Sequence, residues 1–127
     1  MIINRLDHLV LTVADTGKTC SFYADVMGMT VATFAGDRKA LHFGGQKINL
    51  HRAGHEFEPK AARPAPGSAD LCFIADTPLA NVVAELNARG VVLIEGPVAR
   101  DGARGRMMSV YFRDPDGNLI EVSNYVE

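Results

Sequence analysis

Four side chains in this 127-residue sequence carry metal-binding chemistry and share a pattern: His8, His51, Asp70 and Glu121. Each lies in a short β-rich run, in DHLVLTVAD, QKINLHR, ADLCFIADT and NLIEVSN respectively. Side chains alternate faces along a strand, so the apolar neighbours decide which face is buried. Leu9, Leu11 and Val13 oppose His8; Ile48 and Leu50 oppose His51; Leu71 and Phe73 oppose Asp70; Ile120 and Val122 oppose Glu121. All four polar groups therefore fall on sheet faces that helices leave uncovered. Two imidazoles with one or two carboxylates suit a divalent ion (Zn, Ni, Fe or Mn), with positions left for water or substrate. A cation there also relieves the repulsion between half-buried carboxylates. Glu121 or Asp70 is the candidate base, and Tyr111, opposite Glu121 across the turn Asp114–Asn118, is a further catalytic candidate. Asp70 is short and begins its strand, so it is either a fourth ligand or a group that orients one. His42, beside a Gly-Gly turn, and His55, in a linker, read as ordinary polar groups.

The elements that must hold these residues repeat. A β-rich run at 7–15 is followed by helical spacing over 16–29, where Cys20, Phe22, Tyr23, Val26 and Met27 recur and Gly28 marks the stop. The run at 69–77 is followed by 78–90, with an apolar face of Leu79, Val82, Val83 and Leu86. There Thr77 is the expected N-cap, Pro78 the first helical residue and Gly90 the stop. One offset, 62 positions, relates His8 to Asp70 and Gly28 to Gly90. Strands at 29–36, 38–44 and 46–52 parallel those at 91–96, 107–113 and 118–124, with GPVARDGARGR (96–106) read as a loop. His51 then aligns with Glu121, eight positions beyond the offset.

The expectation is an α+β fold of two βαβββ modules forming a curved mixed sheet around a concave metal or ligand site. Module one spans 1–53, the polar linker 54–68 and module two 69–127, together one domain. Two such modules must pair to cover their sheets, within one chain or between two. Arg104 and Arg106, in the Gly/Arg-rich loop, and Arg38, near His51 on parity, are candidates for holding an anionic substrate. Lys60 and Arg63 belong to the linker, which is long enough to act as a lid or clasp.

Composition bounds the partners. A formal net charge of −2 excludes a basic nucleic-acid footprint, and no apolar run reaches the ~20 residues of a membrane helix. The N-terminus lacks a signal-peptide core. Cys20 and Cys72 have no metal or redox spacing and read as free thiols in a reducing cytoplasm.

With these residues in view, the chain resembles the vicinal oxygen chelate superfamily, which includes glyoxalase I, extradiol dioxygenases, fosfomycin-modifying enzymes and bleomycin-binding proteins. LDHLVLTVAD, FYADVMGM and FRDPDGNLIEV carry the likeness over essentially the whole chain. DRKALHFGGQKINLH, EFEPKAARPAPGSADLC and MSVYFRDPDGNLIEVSNY narrow it to the glyoxalase-domain-containing protein 5 group and its bacterial virulence-associated relatives. The resemblance implies a homodimer and a metal-dependent lyase or isomerase acting on a small oxygenated metabolite. The alternatives are an extradiol-type dioxygenase or a metal-free protein that sequesters a drug or metabolite. It places His8 and Asp70 at first-strand ligand positions, and His51 and Glu121 at last-strand ones. Glyoxalase I usually has His at the Asp70 position and Glu or Gln at the His51 position, so this chain permutes the donor set. The absence of Trp weighs mildly against an aromatic stacking groove.

Overall fold

The computed structural model describes residues 1–126. They fall into two compact units divided between Gly67 and Ser68. The first holds β1 (His8–Val13), α1 (Thr16–Asp25), β2 (Thr30–Phe34), β3 (Arg38–Phe43) and β4 (Gln46–Arg52). The second holds β5 (Asp70–Ile74), α2 (Leu79–Ala88), β6 (Glu95–Gly102), β7 (Gly105–Arg113) and β8 (Leu119–Tyr125). Each unit is thus βαβββ, and the class is α+β. The strands form two four-stranded mixed sheets, ordered β1-β4-β3-β2 and β5-β8-β7-β6. In each, the first and last strands run parallel and the remaining pairs antiparallel. The segment after β4, as far as Gly67, clusters with the first unit.

Alternation of side chains builds both cores. In the first unit Leu11, Val13, Leu41, Ile48 and Leu50 are buried with Tyr23 of α1, which packs against β2, β3 and β4. In the second, Val110, Phe112, Ile120 and Val122 are buried with Leu79 and Leu86 of α2. Burying such a side chain contributes about 1.5–3 kcal/mol. α1 starts where Asp15 accepts the Lys18 N–H at 3.0 Å, and the chain turns away at Gly28 with φ +69°.

Two local expectations change. Pro78, not Thr77, occupies the N-cap of α2, and its side chain has nothing to offer the orphaned N–H groups. Asn124 of β8 does it instead: its Oδ1 accepts the Leu79 N–H at 2.7 Å, while its Nδ2 donates to the carbonyls of Ala75 and Thr77. The second strand of the second unit runs over 95–102, not 91–96, so most of the presumed loop is strand. It is an edge strand with a register shift between Glu95 and Val98, the setting in which a sheet tolerates Pro97. Gly96 is required there, because a Cβ would overlap the Ser109 carbonyl and lie 2.8 Å from Val110 Cα.

Candidate functional site

In the second unit, the face of β5 and β8 turned away from the core carries Asp70, Cys72, Glu121 and Ser123. Cys72 lies beside Glu121 in the parallel register, and Tyr111 lies beside it in the antiparallel one. Asp70 pairs with Leu119, two positions before Glu121. The turn at 114–118 sets this register. Asp114 is buried and its Oδ1 accepts the N–H groups of Asp116 and Asn118, while Asn118 Nδ2 donates to its Oδ2. Asn118 Oδ1 in turn accepts the Ala69 N–H at 2.9 Å, tying the turn to the start of β5.

A polar network surrounds Glu121. Ser123 Oγ donates to its Oε2 at 3.3 Å and lies 3.4 Å from Cys72 Sγ and 2.6 Å from Ser109 Oγ. Arg100 Nε donates to the Tyr111 hydroxyl at 3.0 Å, and Arg100 Nη2 pairs with Glu95 at 3.1 Å. Burial raises the Tyr111 pKa against the opposing pull of Arg100, and the Glu121 charge adds to the rise. Burial likewise raises the Cys72 thiol, with Ser123 opposing and Glu121 adding. Both groups therefore hold their protons at neutral pH, leaving a carboxylate flanked by two neutral donors. Because Tyr111 already accepts from Arg100, its own proton is available to a neighbour or a bound molecule.

Arg100 was absent from the sequence expectations because 96–106 read as loop. Once those residues form β6, strand pairing brings its side chain to Tyr111. Arg104 and Arg106 are placed differently. Arg104 lies in the tight turn between β6 and β7, where its N–H donates to the Tyr125 hydroxyl at 3.2 Å. Arg106 is exposed, opposite Asp101, on the other face of β7 from Tyr111.

The first unit separates its two candidate histidines. His8 pairs with Lys47, and His51 with Thr12. Four residues of parallel strand separate them, roughly 13 Å at ~3.3 Å per residue. His8 Nδ1 lies 2.8 Å from Asp7 Oδ2. When Nδ1–H donates to this carboxylate, Nε2 keeps a free lone pair, the usual arrangement behind a metal-bound histidine. His51 is only 4% exposed and meets the Phe57 ring edge-on at 5.6 Å. Its pKa is lowered first by burial and then by the Arg38 charge. It is a neutral buried imidazole beside a guanidinium, a poor place for a metal cation.

The register also revises the repeat alignment. Val10 pairs with Asn49 as Cys72 pairs with Glu121, so Asn49 and not His51 is the counterpart of Glu121. Among the described residues, no three of His, Cys, Asp and Glu gather closely enough to hold a metal ion.

Comparison with known proteins agrees with this architecture. Residues 5–122 match the model of the Glyoxalase/Bleomycin resistance protein/Dioxygenase superfamily. Virulence protein STM3117 of Salmonella typhimurium is 61% identical over 99% of this chain and 88% of its own length. Its crystal structure superposes with a TM-score of 0.98, covering 99% of this chain and 100% of that one. Glyoxalase domain-containing protein RDO1 of Mycosarcoma maydis is 53% identical over 97% of this chain and 69% of its length. Lactoylglutathione lyase from Agrobacterium tumefaciens, 23% identical, shares the fold at a TM-score of 0.73 over 96% of this chain and 94% of that one. On the family match and the similarity to STM3117 and RDO1, this chain belongs to the glyoxalase/bleomycin resistance/dioxygenase superfamily.

Proposed function

We propose that this protein is a metal-dependent enzyme of glyoxalase-like type, a lyase or isomerase acting on a small oxygenated metabolite. The observation that carries the reading is Glu121, a carboxylate on an open sheet face with neutral Tyr111 and Cys72 beside it in register. Glu121 serves as ligand and base, Tyr111 donates its proton to a substrate oxygen, and Arg100 holds the Tyr111 hydroxyl in place. The donor types fit a divalent Zn, Ni, Fe or Mn ion: His8 offers Nε2, Glu121 its carboxylate, and Asp70 a weaker or orienting carboxylate. Such an ion would polarise adjacent substrate oxygens and stabilise an enediolate. His51 is left out of the ligand set because of Arg38.

A metal-free binding protein is the second reading, favoured by the lack of a three-donor cluster within either unit among the described residues. Homodimerisation is supported by Ile2 and Ile3, exposed at 98% and 75%. A cytoplasmic setting is supported by free Cys20 and Cys72. No helix among the described residues is long and apolar enough to cross a membrane.

Elemental analysis of protein purified without added metal or chelator tests the reading, followed by calorimetric metal titration of the apo-protein. One transition metal per chain is expected, lost in His8→Ala and Glu121→Gln and retained in His51→Ala. No metal in the purified protein and none bound on titration favours the metal-free reading, and equal affinity in the parent, His8→Ala and Glu121→Gln removes these two residues as ligands.

A further inference from the structure

We propose that the cleft beside α1 in the first unit is a second binding site, for a small organic anion: a carboxylate or phosphate ester on an apolar body. The cleft encloses about 830 Å³, a volume typical of small-molecule sites. It opens at the end of the sheet, bordered by the β1–α1 connection, the β2–β3 turn and the segment after β4. Val31, Leu50 and Phe57 supply its apolar wall.

Its charge is what points to an anion. Arg38, Lys39 and Arg52 all line the cleft, and among the described residues none of them forms an ion pair with a carboxylate. Lys39 Nζ donates to the neutral Thr33 hydroxyl at 2.7 Å, which leaves its charge uncompensated. The Arg38 guanidinium lies 4.3 Å from the Phe57 ring centre and 5.0 Å from that of Phe34. Two rings fix the plane of the cation but satisfy none of its N–H groups, and Arg38 Nε is buried without a hydrogen-bond partner. Burying such a donor is unfavourable until an acceptor arrives, and carboxylate or phosphate oxygens match the guanidinium edge. Two carboxylates also line the cleft, Asp15 and Asp37. Three cations against two carboxylates leave one positive charge in excess, and Asp15 is held as the cap of α1 by the Lys18 N–H.

The test is calorimetric titration of the full chain, kept in EDTA so that no metal contributes, with benzoate, phenyl phosphate, inorganic phosphate and uncharged benzyl alcohol. At least one aromatic anion should bind, with benzyl alcohol and inorganic phosphate each weaker by ~tenfold or more; the benzoate to phenyl phosphate ratio distinguishes the two head groups. Arg52→Gln, an exposed change that the fold tolerates, should weaken binding ~tenfold, the scale of one charge-assisted hydrogen bond. Arg38→Gln should weaken it at least as much. The proposal is overturned if neither aromatic anion binds at millimolar concentration, if benzyl alcohol or inorganic phosphate binds as well as the aromatic anions, or if Arg52→Gln leaves affinity unchanged.

Discussion

Asn49 in β4 occupies the register position that Glu121 occupies in β8: each stands beside the third residue of its unit's first strand, Val10 and Cys72 respectively. One module therefore presents a carboxylate where the other presents a neutral amide. The neighbours follow suit, since Asn49 faces Val10 and Ala40 while Glu121 faces Cys72 and Tyr111. The carboxylate with a thiol and a phenol beside it in register therefore lies on the second unit's open face.

Asn49 is 7% exposed and its Oδ1 has no hydrogen-bond partner. Replacing an unsatisfied buried polar group by an apolar one of similar shape is near neutral or stabilising. Asn49→Leu should leave stability unchanged or raise it by up to ~1 kcal/mol in urea denaturation. A loss larger than that would mean the amide oxygen is satisfied in solution.

His51 makes stability depend on pH. Its folded pKa lies below the ordinary 6.5 because of burial, then Arg38, with Glu56 opposing and Lys60 adding. Between the two values the unfolded chain binds more protons than the folded one, so stability rises with pH through that window. The contribution is complete above about 6.5 and is lost as pH falls below it, with a slope no steeper than ~1.4 kcal/mol per pH unit. Urea denaturation at pH 8 and at pH 5.5 should show a smaller drop for His51→Gln than for the parent. Identical drops in the two proteins would remove His51 as the source.

Gly96 and Gly117 separate two kinds of glycine requirement. Both have positive φ, +106° and +86°, but a Cβ at Gly117 meets nothing within 4 Å, while at Gly96 it collides with the backbone of Ser109 and Val110. Gly117→Ala should cost about 1 kcal/mol from backbone strain alone. Gly96→Ala should cost at least ~2 kcal/mol, because β6 must also move away from β7. Thermal unfolding of both variants orders them, and an equal loss would show that the edge strand yields freely.

Much of the architecture could be read along the chain because its signals are local. A period of two sets the faces of His8, Asp70 and Glu121, and glycines at 28 and 90 end the helices because they accept positive φ. The pairing of Tyr111 with Glu121 also follows from the short turn between them. Other features depend on groups distant in sequence. Which residue of β4 matches Glu121 is decided by pairing with β1, and aligning the two last strands by their residues misplaced it by two positions, one full step on the same face. Pro97 and the glycines disguised β6, which is a strand because an edge position excuses the missing N–H. The cap of α2 comes from Asn124, and the surroundings of His51 come from Arg38 and from Phe57 in a segment that composition marked as linker. Local periodicity determined which face each group takes; tertiary contacts decided which groups meet there and hence which carry charge.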